Sequence, residues 1–340
     1  MPVDSGQCIT MNRFMDTTAR IFVAGHRGLA GSAIVRKLLA LGYTNLLLRT
    51  RHELDLLDRS ATGAFFDRER PEYVFLAAAR VGGILANRDS PAEFIAQNLD
   101  IQNNVLESAL RTGVKRLLFL GSSCIYPRLA RQPIKEEYLL SGPLEFTNRP
   151  YAIAKIAGIE MCWAFNRQYG TKFIAAMPTN LYGPGDNYDL QTSHVLPALI
   201  RKTHEAMERR LKNVVVWGTG KPSREFLYSD DMADACLHLM NLSEAQLESL
   251  ISIPETPPLI NVGSGHDLTI RELALTVCEV MGYDGDIVFD STKPDGTPQK
   301  LLDSTKLFKL GWEPKISLAR GIKFAWDDYR VRLQQFQEAN

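Results

Sequence analysis

The chain has 340 residues, 45% of them hydrophobic, with 39 basic and 39 acidic side chains and a formal net charge of +0. That length accommodates one nucleotide-binding core with a smaller companion lobe. The balanced charge offers no global field for nucleic acid or an anionic membrane, so neither is expected as a partner and any phosphate must be held by a local device.

In chain order, Met1 to Arg20 contains Asp4, Asp16 and several polar residues but no apolar segment for a secretory signal; residues 1–19 are expected to form a disordered leader. Short apolar runs and amphipathic stretches then alternate. Arg20 to Ala24 reads as a buried strand, and Ala30 to Leu41 as a helix with Ile34, Leu38 and Leu41 on one face. Strand Leu46 to Leu48, a helix through Phe65 and Phe66, strand Tyr73 to Ala79 and a long helix Ala92 to Leu110 follow. Strand Leu117 to Leu120 ends at Gly121-Ser122-Ser123-Cys124, before a helix carrying Tyr151 and a strand Phe173 to Met177.

Continuous apolar strands separated by helices imply a parallel sheet covered on both faces, a doubly wound α/β fold of Rossmann type. After Pro178 the rhythm loosens. A turn-rich segment, Leu181 to Asp186, precedes a helix (Val195 to Arg210) and strands at Val214 to Trp217 and Arg224 to Leu227. Asp230 to Leu239 and Ile260 to Val262 are expected to return to the core, and Thr269 to Met281 to form a helix. The expected division is therefore a cofactor domain over residues 20–178, with contributions from about 229–264, and a smaller α/β substrate lobe over 179–228 and 265–340.

The longest apolar run, Tyr73 to Ala79, is too short to span a bilayer. The five cysteines (Cys8, Cys124, Cys162, Cys236 and Cys278) include no Cys-x-x-Cys pair, which suits free thiols in a reducing, cytoplasmic compartment. The histidines show no His-Glu-x-x-His spacing, and no metal site is expected.

Tyr151 and Lys155 stand four residues apart, one helical turn, so phenol and ammonium share a face. A nearby ammonium favours the phenolate and is expected to draw the phenol's pKa toward neutrality. The pair reads as a proton donor and acceptor for a hydroxyl or carbonyl, with Ser122 as a second hydrogen-bond partner for the same oxygen. If the chain stays extended beyond the fourth strand, Ser122 and Cys124 face the same side. A thiol there suits proton movement on and off carbon; the alternative is a small buried thiol. His194, at a loop-to-helix junction, is a second titratable candidate, or else a capping or surface residue.

Gly25-His26-Arg27-Gly28-Leu29-Ala30-Gly31 follows the first strand and opens the first helix. Glycines there permit a tight turn and close approach to a pyrophosphate, while the helix N-terminus supplies amide donors. At the end of the second strand, where an acidic side chain would hold the ribose of NAD, the sequence is Leu48-Arg49-Thr50-Arg51. Arg49 and Arg51, with Arg27, suit the additional phosphate of NADP(H), the alternative being solvated surface arginines. Asp55 or Asp58 is placed to contact adenine or to cap the next helix. Lys202, Trp217, Arg224, Asp295 and Lys300 are candidates for a nucleotide sugar's phosphates, base and ribose.

The glycine loop, Ser122 and Tyr151/Lys155 together resemble the extended short-chain dehydrogenase/reductase family, whose members mostly act on nucleotide sugars. The resemblance sharpens across ordered blocks: Leu48 to Arg51, Ala79 to Ile84, Gly121 to Pro127, Pro150 to Gly158, Pro178 to Pro184, Ser193 to Val195 and Lys293 to Pro298. These are similar to the branch that takes GDP-4-keto-6-deoxy-D-mannose to GDP-L-fucose, inverting carbons 3 and 5 and reducing carbon 4. The resemblance implies an NADP(H) site that also uses Leu29, Leu56, Leu120, Gly121, Ser123, Pro178, Thr179, Asn180 and Leu181, with Lys155 and His194 touching the cofactor. It implies a homodimer as well. Ser122, Tyr151 and Lys155 would perform the reduction, and Cys124 and His194 would act as base and acid of the inversions. Trp217, Arg224, Asp295 and Lys202 would hold the GDP part; relatives carry arginine at the position of Lys202, and lysine keeps the charge but loses the planar fork. The rival readings are a UDP-hexose 4-epimerase with tightly held NAD, and a non-catalytic NADP-binding protein.

Overall fold

The computed structural model describes residues 14–338 apart from residue 294. Its centre is an all-parallel six-stranded sheet in the order β2-β1-β3-β4-β5-β9. The strands are β1 (Ile21–Ala24), β2 (Leu46–Leu47), β3 (Tyr73–Leu76), β4 (Arg116–Leu120), β5 (Phe173–Pro178) and β9 (Leu259–Val262). β1, β3, β4, β5 and β9 are buried along their whole length, which is why they read as unbroken apolar runs. The helices between them are α1 (Leu29–Ala40), α2 (Arg59–Glu69), α3 (Ile84–Asp89), α4 (Pro91–Thr112) and α5 (Arg149–Tyr169).

Alternate side chains of each strand feed opposite layers. Ile21, Val23, Phe75, Leu118 and Ile174 pack with Ile34 and Leu38 of α1 and with Met232 and Cys236. Phe22, Ala24, Val74, Leu76 and Phe119 pack with Phe65 and Phe66 of α2, Val105 and Leu106 of α4 and Ile159 of α5. Local chemistry sets the helix limits. The Asp58 carboxylate accepts from Ala61 N at 2.9 Å to start α2, Pro91 opens α4, and Gly113 and Gly170 close α4 and α5 in the left-handed region.

The rest of the chain builds a smaller second layer and returns to the first. β6 (Asn180–Tyr182), α6 (Val195–Glu208), β7 (Asn213–Trp217) and β8 (Ser223–Tyr228) come first. α7 (Ser229–Met240) and α8 (Glu244–Ile251) then cover the large sheet ahead of β9. β10 (Asp267–Thr269), α9 (Ile270–Met281), β11 (Asp286–Asp290), β12 (Gln299–Lys300), α10 (Thr305–Lys309) and α11 (Leu318–Glu338) complete the chain. β8 pairs with β6, β10 and β12, and β7 pairs with β11. α11 is a long helix that the sequence reading did not resolve, because among its described residues Ile322, Ala325 and Tyr329 are the buried apolar ones amid many charges.

The leader needs a correction. Residues 1–13, Cys8 among them, lie outside the described residues, but residues 14–19 are packed rather than loose. Met15 and Ala19 join the core at 1% and 4% exposure. Phe14 lies 3.3 Å under the guanidinium of Arg116. Apolar side chains and that buried arginine, bonded to the carbonyls of Met240 and Leu242, hold the segment down.

Candidate active site

β2 joins one side of β1 and β3 joins the other, so the strand order reverses between β1 and β3, where ligands of open parallel sheets collect. A cleft of about 770 Å³ opens there along the carboxyl ends of the strands.

Its floor is the glycine turn. Gly25 has φ +83°, and a Cβ on it would stand 2.7 Å from Ala78 N. A Cβ on Gly31 would stand 2.1 Å from Gly25 O, so the turn and α1 approach each other as only glycine allows. α1 begins at Gly28 with no side-chain cap and no acidic residue in its first turn, which leaves its amide donors and positive dipole end for an anion. Gly25, His26, Arg27, Gly28, Leu29, Gly31, Arg49, Arg51, Asp55 and Leu56 all line the cleft, with no carboxylate at the end of β2 where NAD would need one. These features fit NADP(H). The arginines carry partners that the sequence reading missed: Arg49 pairs with Glu69 at 3.0 Å and lies 5.6 Å over the Phe65 ring, and Arg51 is 3.5 Å from Asp55. Asp58 is the helix cap and Asp55 the cleft residue.

The opposite wall gathers Leu120, Gly121, Ser122, Ser123, Cys124, Tyr151, Lys155, Pro178, Thr179, Asn180, Leu181, His194 and Lys300. The chain does not stay extended after β4: Ser123–Ile125 forms a 3₁₀ turn, begun by the Ser122 hydroxyl accepting from Cys124 N at 3.5 Å. Ser122 and Cys124 reach one cleft through that turn instead of through strand alternation. Cys124 is 8% exposed. Its thiol is pushed up by burial and held back, in decreasing order, by the charge of Lys300, a hydrogen bond with Ser122 and the charge of Lys155.

Tyr151 and Lys155 share a face of α5, with the ammonium 5.9 Å from the phenol ring centroid and 4.6 Å from that of Phe119. The Lys155 ammonium donates to Leu120 O at 2.9 Å, and burial lowers its pKa to about 8. The expected pull of the phenol toward neutrality is not what the structure gives. Burial drives Tyr151 far above its ordinary value, Cys124 adds to the rise, and only a hydrogen bond with Ser122 opposes it. Desolvation of the phenolate outweighs a lysine already engaged with a carbonyl.

His194 is the N-cap residue of α6 and makes no side-chain cap bond. Residue 194 is exposed as a whole, while the cleft it lines encloses its ring. The enclosure lowers its pKa, and Lys300 lowers it further.

Of the expected substrate residues only Lys300 lines the cleft. The others gather beside it. The ammonium of Lys202 donates to Val215 O at 3.0 Å and sits 5.1 Å over the exposed Trp217 ring, which Lys293 also approaches at 5.5 Å. Asp295 accepts from Thr219 N at 2.9 Å and Thr219 Oγ1 at 2.7 Å. Arg224 donates to Ser223 O at 2.7 Å, feels the charge of Asp295, and stands opposite Lys300 in the β8–β12 register. That register joins the outer patch to the cleft. Among the cleft residues that the sequence does not mark are Asn87 and Asn148, each with a buried side-chain oxygen that has no partner among the described residues. Asn148 stands directly before the Arg149-Pro150 helix start, which marks it as a cap, yet its side chain makes no cap bond. Among the described residues no group of three or more His, Cys, Asp or Glu side chains could hold a metal.

Residues 21–253 match the NAD dependent epimerase/dehydratase family. The chain is 56% identical over 322 residues to a GDP-L-fucose synthase of Escherichia coli (strain K12), covering 94% of this chain and 98% of that one. It is 56% identical over 314 residues to GDP-L-fucose synthase 1 of Arabidopsis thaliana, covering 92% and 94%. Among solved structures it is similar to a GDP-mannoheptose C4 reductase from Campylobacter jejuni with NADP bound, at TM-score 0.84 and 42% identity over 93% of this chain and 99% of that one.

Proposed function

The chain belongs to the NAD dependent epimerase/dehydratase family and, within it, to the GDP-L-fucose synthases, and on that footing we propose that its cleft converts GDP-4-keto-6-deoxy-D-mannose to GDP-L-fucose by inverting carbons 3 and 5 and reducing carbon 4. The observation that carries this reading is the convergence of Ser122, Cys124, Tyr151, Lys155 and His194 on one wall, facing a glycine turn built for a dinucleotide.

The enzyme uses NADP(H). The glycine turn and the first turn of α1 would hold its pyrophosphate, Arg49 and Arg51 its additional phosphate, and Lys155 and the segment Pro178 to Leu181 its reactive end. When bound, NADPH supplies the reducing equivalent for carbon 4.

The carbon-4 ketone acidifies the hydrogens on carbons 3 and 5, because the carbanion delocalises into an enolate. Hydroxyl donors on Ser122 and Tyr151, aimed at that oxygen, stabilise the enolate during inversion and orient the ketone for reduction. Inversion removes a proton from one ring face and returns one to the other, so it needs two separate exchanging groups. Cys124 acts as base and His194 as acid. Reduction then takes its proton from Tyr151, whose raised pKa keeps the phenol protonated and ready to donate. The Lys155 ammonium, fixed by Leu120 O, stabilises the phenolate left behind.

The outer patch holds the GDP moiety: Trp217 offers a ring face to the base, Lys202 and Arg224 face the phosphates, and Asp295 fixes the turn beside them. The cofactor lobe comprises residues 20–178 with about 229–264, and the substrate lobe 179–228 and 265–340; α7, α8 and β9 packing on the large sheet supports that division. We place the enzyme in the cytoplasm as a homodimer. The four described cysteines are free, no helix among the described residues is long and apolar enough to cross a membrane, and α5 exposes Ile153 for a second copy.

The test is Tyr151→Phe given GDP-4-keto-6-deoxy-D-mannose and NADPH. NADPH consumption should fall by more than about a hundredfold while proton exchange at carbons 3 and 5 persists. Undiminished consumption would remove Tyr151 from the reduction.

A further inference from the structure

Cys124 must give up its proton to act as a base, yet its surroundings resist a bare thiolate. Lys300 stands where it can answer that difficulty. It is the last residue of β12, pinned by pairing to β8, and its half-buried side chain opens on the wall that carries Ser122, Cys124 and His194. Among the described residues its ammonium has neither a hydrogen-bond acceptor nor a carboxylate partner, whereas Lys155 on the same wall is tied to Leu120 O. A cation held in a cleft without a counter-ion imposes its field on whatever titrates beside it.

We propose that Lys300 is a positioning residue for the proton-exchanging pair, its unpaired ammonium setting the charge state of both Cys124 and His194. The proposal rests on the reading of those two residues as base and acid. The other charged and titratable groups facing the pair are Lys155 and Tyr151 from α5 and Arg224 from β8, with Asp295 acting on Arg224. Lys155 acts on Cys124 less than Lys300 does, and among the described residues Lys300 is the charge that bears on His194. Burial lowers the pKa of Lys300 itself; the Cys124 thiolate opposes that and favours the ammonium, and Arg224 adds to the lowering.

The two consequences share a sign. A positive charge stabilises thiolate against thiol, and it destabilises imidazolium against imidazole. Lys300 therefore draws both titrations to lower pH. Exchange through a thiolate and an imidazolium has a bell-shaped pH profile, so removing the charge should carry both limbs of the bell upward together. A side chain that merely filled space would lower the bell and leave its limbs in place.

The experiment measures deuterium uptake from heavy water into GDP-4-keto-6-deoxy-D-mannose against pH for the wild type, Lys300→Met and Lys300→Arg, with NADPH binding as the check of folding. For Lys300→Met both limbs should move to higher pH, and uptake on the acid side should fall about tenfold. Lys300→Arg should restore the limbs to within about twofold in rate at every pH. If Lys300→Met does not bind NADPH, Lys300→Gln carries the same comparison. Limbs that stay put, or that move in opposite directions, overturn the proposal. Thiolate absorbance, read against the matched Cys124→Ser protein, follows the sulfur without turnover. A midpoint that rises in Lys300→Met supports the proposal even if Cys124→Ser retains full exchange, a result that would instead defeat the assignment of Cys124 as base. A midpoint that does not move defeats the proposal alone.

Discussion

At the scale of single residues, the cleft shows how one wall makes opposite demands on its side chains. Burial keeps the Tyr151 proton on oxygen, which suits a donor, and also keeps the Cys124 proton on sulfur, which a base must overcome. Cys124→Ser replaces the thiol with a far weaker acid, and deuterium exchange at the ring carbons should fall by about a hundredfold or more, with NADPH affinity unchanged. Exchange kept within about twofold of wild type would take the base elsewhere. The shared cleft of Tyr151, Lys155 and the glycine turn was legible because their placement depends on spacing along one helix or one turn. Lys300 was legible only as one of several scattered polar residues, because its place on the wall that carries Cys124 is made by β12 pairing with β8 across a long stretch of sequence. The partner of Arg49 was hidden for the same reason: Glu69 comes from the far end of α2.

At the scale of elements, close approach is the constraint that fixes the cofactor site. Gly31→Ala would drive a methyl group against Gly25 O and should destabilise the fold by about 1–3 kcal/mol, with NADPH binding lost in a titration at a temperature where the variant stays folded. Arg49→Ala with Arg51→Ala removes two guanidinium groups from the end of β2 and should erode the NADPH over NADH preference in kcat/KM by about ten- to a hundredfold. An unaltered ratio would move the phosphate site away from β2. Periodicity identified the five parallel strands from β1 to β5 and the long helices between them, since each carries its burial pattern in a contiguous run. It did not resolve β6, β10, β12 or α11. The three strands are two or three residues long, and the helix buries a stripe narrower than its charged surface.

At the scale of the whole molecule, the loop that carries His194 is braced against the C-terminal helix. Asp328 accepts from Gly185 N at 2.9 Å, and Arg332 donates to Asp186 O at 2.8 Å. Asp186 itself is 5% exposed with one carboxylate oxygen unpartnered, and burial lifts its pKa to about 7. The folded state therefore binds a proton there that the unfolded chain has already released, so its contribution to stability is full below about pH 4 and is lost as pH rises to about 7. Asp186→Asn should then stabilise the protein by about 2 kcal/mol at pH 8 and by little at pH 4, read from denaturant unfolding at the two pH values. Equal gains at both would show that Asp186 titrates alike in the folded and unfolded chains and that burial does not raise its pKa. The central claim joins the two lobes: one ketone gripped by Ser122 and Tyr151 while Cys124 and His194 exchange hydrogens on either side of it. Its most direct test is to give the enzyme GDP-4-keto-6-deoxy-D-mannose in heavy water, with and without NADPH. Deuterium should enter at both carbon 3 and carbon 5 in either case, and the ketone should disappear only when NADPH is present. Loss of the ketone with no label at either carbon would contradict the account and leave a plain ketoreductase.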